Sequence, residues 1–167
     1  MKIIRGEKMI RQVQQSDLPT LIIIEEASFT PEEAATPKAF EERIASIPDS
    51  FLVYEENGEV VGLVNGPVVQ VPYITDDLFT DIGVNSVSGG HQTVLGLAVA
   101  PKYRGKGIAR KLLSELEMIA KKAKRETVTL TCRTELVSFY EKLGYDNHGQ
   151  SDSTHGGVQW FNLVKKL

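Results

Sequence analysis

The chain has 167 residues, a net charge of −3, 41% hydrophobic and 25% charged residues, which suits one soluble domain over 1–167 and gives no general electrostatic case for nucleic acid. A single cysteine, Cys132, excludes an intrachain disulfide framework and a cysteine zinc cluster, and fits a cytoplasmic location. No apolar run nears the ~20 residues that cross a bilayer, and the charged start MKIIRGEKMIRQV lacks the apolar segment of a signal peptide.

Residues 9–13 predict a first strand, with residues 1–8 as a short extension of it. Ser16-Asp17 offers a helix N-cap, and Pro19 suits the first turn of a helix that runs to Phe29. A second helix is expected over 37–47, with Phe40, Ile44 and Ile47 on one face. Strands at 51–54 and 60–64 flank Glu56-Asn57-Gly58-Glu59, and Asn-Gly between such runs signals a hairpin. Residues 68–71 prolong the second of these strands. Residues 72–92 hold Asp76, Asp77 and Asp81 without clear periodicity, and so long a stretch reads as a functional loop or lid.

The apolar run 94–100 reads as a buried strand that Pro101 ends. Lys102-Tyr103-Arg104-Gly105-Lys106-Gly107 follows as a basic glycine turn, and from Ile108 the period becomes helical through Leu112, Leu116 and Ala120. Strand, turn and helix N-terminus together form an anion site, at which phosphate is the usual guest. A strand at 127–132, a helix at 135–143 capped by Thr134 and stopped by Gly144, and a strand at 158–164 complete the chain. The order β-α-α-β-β-β-α-β-α-β describes a mixed α/β (α+β) domain on a partly antiparallel sheet flanked by helices.

Three phosphate-binding patterns compete at the turn. No window matches G-x-x-x-x-G-K-[ST], and Gly105-Lys106-Gly107-Ile108-Ala109-Arg110 supplies only two glycines of a dinucleotide fingerprint. Arg104-Gly105-Lys106-Gly107-Ile108-Ala109 matches Q/R-x-x-G-x-G/A, the acyl-CoA pyrophosphate loop, at every fixed position. With LAVAPKYRGKGIA before an amphipathic helix and SFYEKLGY later in the chain, residues 9–164 resemble the GNAT superfamily of acyl-CoA-dependent N-acyltransferases. The EEASF, LAV and LVSFY segments are most similar to the arylalkylamine N-acetyltransferase branch.

The resemblance implies a central sheet splayed at a bulge, with the pantetheine of acetyl-CoA in the gap. Leu97, Ala98 and Val99 would pair their backbone groups with it. The N–H groups of Gly105, Lys106, Gly107, Ile108, Ala109 and Arg110 would cradle the pyrophosphate, with Arg104, Lys106 and Arg110 adding charge. The N–H of Leu97 would polarise the thioester carbonyl. Tyr140 falls where the family places the acid that protonates the leaving thiolate. The branch carries two histidines where this chain has Thr93 and Leu95, which leaves His91, Glu25, Glu26 or a water chain as the base. His148 and His155 stand outside metal-ligand spacing, so no metal is expected, and Cys132 reads as a buried strand residue.

The function implied is acetyl transfer from acetyl-CoA to the primary amine of a small molecule by direct attack in a ternary complex. A protein or peptide N-acetyltransferase and a non-catalytic acyl-CoA sensor are the alternatives. Asp76, Asp77 and Asp81 could draw in a cationic amine, and Phe29, Tyr73 and Phe79 could wall its pocket. No membrane and no nucleic-acid partner is expected, and a homodimer is left open.

Overall fold

The computed structural model describes residues 7–167, so the expected strand extension over residues 1–6 lies outside them. The chain runs β1 (Lys8–Gln12), α1 (Leu18–Ser28), α2 (Pro37–Ser46), β2 (Phe51–Glu56), β3 (Glu59–Asn65), β4 (Val68–Val69) and β5 (His91–Val94). It continues through β6 (Gly96–Val99), α3 (Ile108–Lys122), β7 (Thr127–Cys132), α4 (Val137–Lys142), β8 (Asp146–Gln150) and β9 (Phe161–Lys166). The strands form an antiparallel sheet β1-β2-β3-β6 and a mixed sheet β4-β5-β7-β9-β8, in which β5 and β7 are the parallel pair.

Local chemistry sets these elements. Asn57 and Gly58 both take positive φ, +54° and +81°, which is what a two-residue turn matching the strand twist requires. Thr36 caps α2 by accepting the Ala39 N–H at 3.1 Å, ahead of Pro37 in the first turn. Asp17 does not cap α1. Its carboxylate instead takes Arg11 at 2.9 Å and the Gln14 N–H at 2.8 Å, tying β1 to the helix start.

Period-2 alternation along β2 feeds two cores. Leu52 and Tyr54 face α3, and Phe51 and Val53 face α1 and α2. Ile108, Leu112, Leu113, Leu116 and Ala120 of α3 pack against Val61 and Val64 of one sheet and Val128, Leu130 and Leu163 of the other. Each such large side chain buried is worth ~1.5–3 kcal/mol, so α3 is the clamp that holds the two sheets together.

Four features differ from the sequence reading. The run 94–100 is two strands, not one: Leu95 and Gly96 together oppose Asn65, a bulge that passes the chain from one sheet to the other. Residues 68–69 form a separate strand, set off from β3 by Gly66-Pro67. Strand β8, sequence DNHGQ, has no apolar alternation because it is an edge strand with its side chains in solvent. Thr134 also lies within a 3-10 turn ahead of α4 and does not cap it.

The loop after β4 is anchored at both ends. Asn85 accepts the Val68 N–H at 2.8 Å, and Arg125 holds the Ser86 and Gly89 carbonyls at 2.8 and 2.9 Å. Asp76 takes the Ser153 hydroxyl and the Thr154 N–H, and the Phe79 ring stacks on His155 at 4.0 Å.

Candidate active site

Strands β5 and β7 pair in parallel only as far as Val94 opposite Leu130. Beyond the bulge, β6 pairs with β3, while Thr131 and Cys132 keep only β9 beside them. A V-shaped gap therefore opens between β6 and the end of β7. Ala100 donates to the Val61 carbonyl, and an antiparallel ladder alternates, so Ala98 also turns its backbone to β3. Leu97 and Val99 turn theirs to the gap. Ala98 thus departs from the sequence expectation: its N–H and C=O belong to the β3 ladder, and its methyl packs in the α1–α2 core.

The glycine turn stands at the head of this gap. Among the described residues, the backbone N–H groups of Gly105, Gly107, Ile108, Ala109 and Arg110 have no backbone carbonyl as partner, and the helix ladder starts with Lys111 N–H to Gly107 O at 3.1 Å. These orphan donors at a positive dipole end fit a pyrophosphate. A Cβ on Gly107 would touch nothing within 4 Å, so its φ of +79°, not crowding, demands glycine. Gly107→Val should therefore weaken acyl-CoA binding about tenfold, through a strained turn of ~1–3 kcal/mol, as titration calorimetry would show.

The cations divide. Lys106 lies over the Tyr103 ring at 5.2 Å, and Arg110 lines a groove beside Lys111, Ser114 and Lys165. Arg104 folds back: its Nε donates to Val99 O at 2.9 Å and its Nη2 to the Ser28 hydroxyl at 3.1 Å and Ala27 O at 3.4 Å. Its expected charge at the phosphates is spent on joining the turn to the end of α1.

A cavity of about 430 Å³ occupies the gap, lined by Val94 to Leu97, by Leu130 to Arg133, and by Tyr140, Phe29 and Glu25. Tyr140 is held by the end of its own helix. Its carbonyl accepts the Tyr145 N–H at 3.1 Å while Glu141 O accepts Gly144 N–H at 3.1 Å, the paired bonds of a Schellman stop. The Tyr140 and Tyr145 rings meet edge to face at 5.8 Å. The Tyr140 hydroxyl, 8% exposed as a residue, makes no hydrogen bond among the described residues, so its proton is free toward the cavity. Burial first, and Cys132 beside it second, push the phenol pKa up. Cys132 lines the same cavity, and burial and then Glu135 push its thiol up to about 12, which leaves it an unreactive thiol.

His91 is not brought to this cavity. It opens β5, where Nδ1 meets Thr127 Oγ1 at 2.8 Å and Nε2 meets Glu126 at 3.0 Å. Thr93 gives its hydroxyl to Pro67 O at 2.6 Å. Glu25 is brought there. It is 4% exposed, Oε2 accepts Ala35 N–H at 2.8 Å, and Oε1 is buried with no partner. Burial pushes its pKa up, against the pull of the Ala35 N–H and Arg43.

The signal for Glu25 was in the sequence: Leu18, Leu21 and Glu25 share one face of α1, so the apolar stripe ends in a carboxylate. Phe29 and Phe79 line the cavity as pocket walls, as their sequence expectation had it, whereas His155, which also lines it, carried no such signal, since loop packing brings it in. Tyr73 lies outside it, bonded to His148 at 2.9 Å, and neither Asp77 nor Asp81 lines a cavity with Glu25.

A family model described as acetyltransferase (GNAT) family matches residues 18–145. The chain belongs to the GNAT acetyltransferase family. An acetyltransferase of Pectobacterium atrosepticum is 32% identical to this GNAT chain over 111 residues, 64% of each protein. One from Sodalis glossinidius is 33% identical over 111 residues, 64% of this chain and 63% of its own. The match spans just under two thirds of the length of these relatives. Among solved structures, Ard1 from Thermoplasma volcanium superposes with a TM-score of 0.74 at 19% identity, over 96% of this chain and 97% of its own. The GphF GNAT-like decarboxylase in complex with isobutyryl-CoA reaches 0.81 at 17% identity, over 95% and 98%. These two likenesses show the GNAT fold. Among the described residues, no helix is long and apolar enough to cross a membrane and no cluster of metal-ligating side chains occurs.

Proposed function

We propose that this GNAT protein transfers an acetyl group from acetyl-CoA to the primary amine of a small molecule, by direct attack with both substrates bound. The observation that carries the reading is the cavity in the gap, where the outward backbone of Leu97, Tyr140 and the unpaired Glu25 oxygen meet, with the glycine turn following close after β6. The isobutyryl-CoA held by GphF supports an acyl-CoA donor for this fold. Similarity of the LAV and LVSFY segments to the arylalkylamine branch supports a small amine. With Thr93 and Leu95 in place of that branch's histidines, the base is Glu25.

Acetyl-CoA supplies an activated thioester carbonyl. The Leu97 N–H, free of the β3 ladder, polarises that carbonyl as charge builds on its oxygen. Glu25 Oε1 takes the proton from the attacking nitrogen as the N–C bond forms. Tyr140 gives its hydroxyl proton to the sulfur as the C–S bond breaks. Burial raises the phenol pKa, so Tyr140 holds its proton until the thiolate forms beside it.

Titration calorimetry with acetyl-CoA tests the donor. Binding below millimolar, together with thiol release on adding a primary amine, is expected. Absence of heat at that level would refute the donor assignment, and binding without release from any amine would leave only an acyl-CoA sensor.

A further inference from the structure

A second cavity of about 420 Å³ adjoins the first and shares Glu25, Glu33, Phe79, Leu95 and His155 with it. It lies between the segment joining α1 to α2, the start of α2, and the loop at residues 76–80. Glu25 stands where the two cavities meet.

Its charge is one-sided. Glu32, Glu42 and Asp76 line this cavity and not the first, in addition to the shared Glu25 and Glu33; Lys38 and Arg43 answer them, with His155. Glu33 is committed to Arg133. Arg43 donates to the neutral Asn65 Oδ1 at 3.0 Å and its charge faces Glu25 and Glu42, so with Lys38 it offsets part of the cluster, in which Glu25, Glu32, Glu42 and Asp76 still outnumber the two cations. The hydrogen bonds of Asp76 come from the neutral Ser153 and Thr154, with His155 nearby also favouring its charged form. Among the described residues, Glu32 and Glu42 accept no hydrogen bond and form no salt bridge. Acidic surface alone would name no ligand. The independent observation is Glu25, nine-tenths buried at the junction, with an oxygen that no group of the protein satisfies. A buried carboxylate oxygen without a donor calls for one from outside.

We propose that the acceptor is an aliphatic diamine, with one nitrogen at Glu25 facing the donor gap and a second, cationic nitrogen among Glu32, Glu42 and Asp76. This rests on the acetyl-transfer reading and narrows its substrate class. The reacting nitrogen must be neutral to attack, so Glu25 serves it as an acceptor of its proton. The far nitrogen stays protonated, near pKa ~10.4 for an alkylammonium, and meets carboxylates that have surplus charge. A matched monoamine has nothing to offer that outer cluster. An aromatic amine finds the Phe79 ring already stacked on His155.

Thiol release from acetyl-CoA should be measured with 1,4-diaminobutane and 1,6-diaminohexane against 1-aminobutane, 1-aminohexane and phenethylamine. The expected result is a kcat/KM for the diamines at least about tenfold above the matched monoamines at low salt, mostly through KM. The ratio should fall in 0.5 M salt, since the outer contacts are exposed charges. In Glu32→Gln/Glu42→Gln it should drop toward one, with an unchanged melting temperature as the control for folding. Equal kcat/KM for diamines and monoamines, or a preference for phenethylamine or for a peptide N-terminus, would overturn the diamine assignment and leave acetyl transfer standing. No release with any amine, alongside no acetyl-CoA binding by calorimetry, would overturn the underlying reading, and this one with it. Should the double variant not fold, the wild-type comparison alone decides.

Discussion

Tyr140→Phe is expected to slow acetyl transfer by a hundredfold or more while leaving acetyl-CoA affinity near that of the native enzyme. General acids contribute ~10²–10⁴-fold, and the hydroxyl removed here makes no hydrogen bond among the described residues. The ring keeps its edge contacts with Phe139 at 5.0 Å and Tyr145 at 5.8 Å, so stability should hardly change. The pH profile of the native enzyme carries a further expectation. Because burial holds the Tyr140 pKa above that of a free phenol, the native enzyme should show no loss of kcat as pH rises through the ordinary phenol range. Unchanged turnover in the phenylalanine variant would remove Tyr140 from the chemistry.

Glu25→Gln is expected to cost a comparable factor and to change the shape of the pH profile. The active form of Glu25 is the carboxylate, and burial raises its pKa. Below that raised pKa the carboxyl is protonated and cannot take the proton of the amine, so kcat/KM should climb as pH rises through it. The climb should lie above the usual carboxylate range. Glutamine abolishes this limb and leaves only the rise due to deprotonation of the amine itself, near ~10. A variant that retained the native acidic limb would show that another group is the base. His91 is the group to compare: His91→Ala should leave the profile in place, because its ring is engaged with Thr127 and Glu126 away from the cavity.

Much of this architecture could be read from residue patterns because those patterns are local. Asn57-Gly58 fixed a hairpin by backbone preference, and the leucines of α3 named its buried face before any contact was known. The phosphate turn was equally legible, since a strand, two glycines and a helix start are a physical device in themselves. The site residues were harder where a long-range fact decides their role. Nothing in VLGLAVA states that Leu95 breaks the strand, because the bulge exists only against Asn65. The side chain of Arg104 was assigned to phosphate by its motif, and its true partners, Val99, Ala27 and Ser28, come from elements that meet only in the fold. Likewise His91 and Glu25 were both written as bases; one is 66 residues upstream of the other, and only packing shows which reaches the gap.

The Arg104 contacts also link two binding regions. This guanidinium grips the end of β6 at Val99 and the end of α1 at Ala27 and Ser28, two and three residues past Glu25. A ligand that settled the glycine turn would also settle the helix that offers the carboxylate, so binding at the turn and binding at Glu25 would be coupled through a single side chain. Thermodynamics adds a constraint: the factor by which one strengthens the other must be the same from either direction.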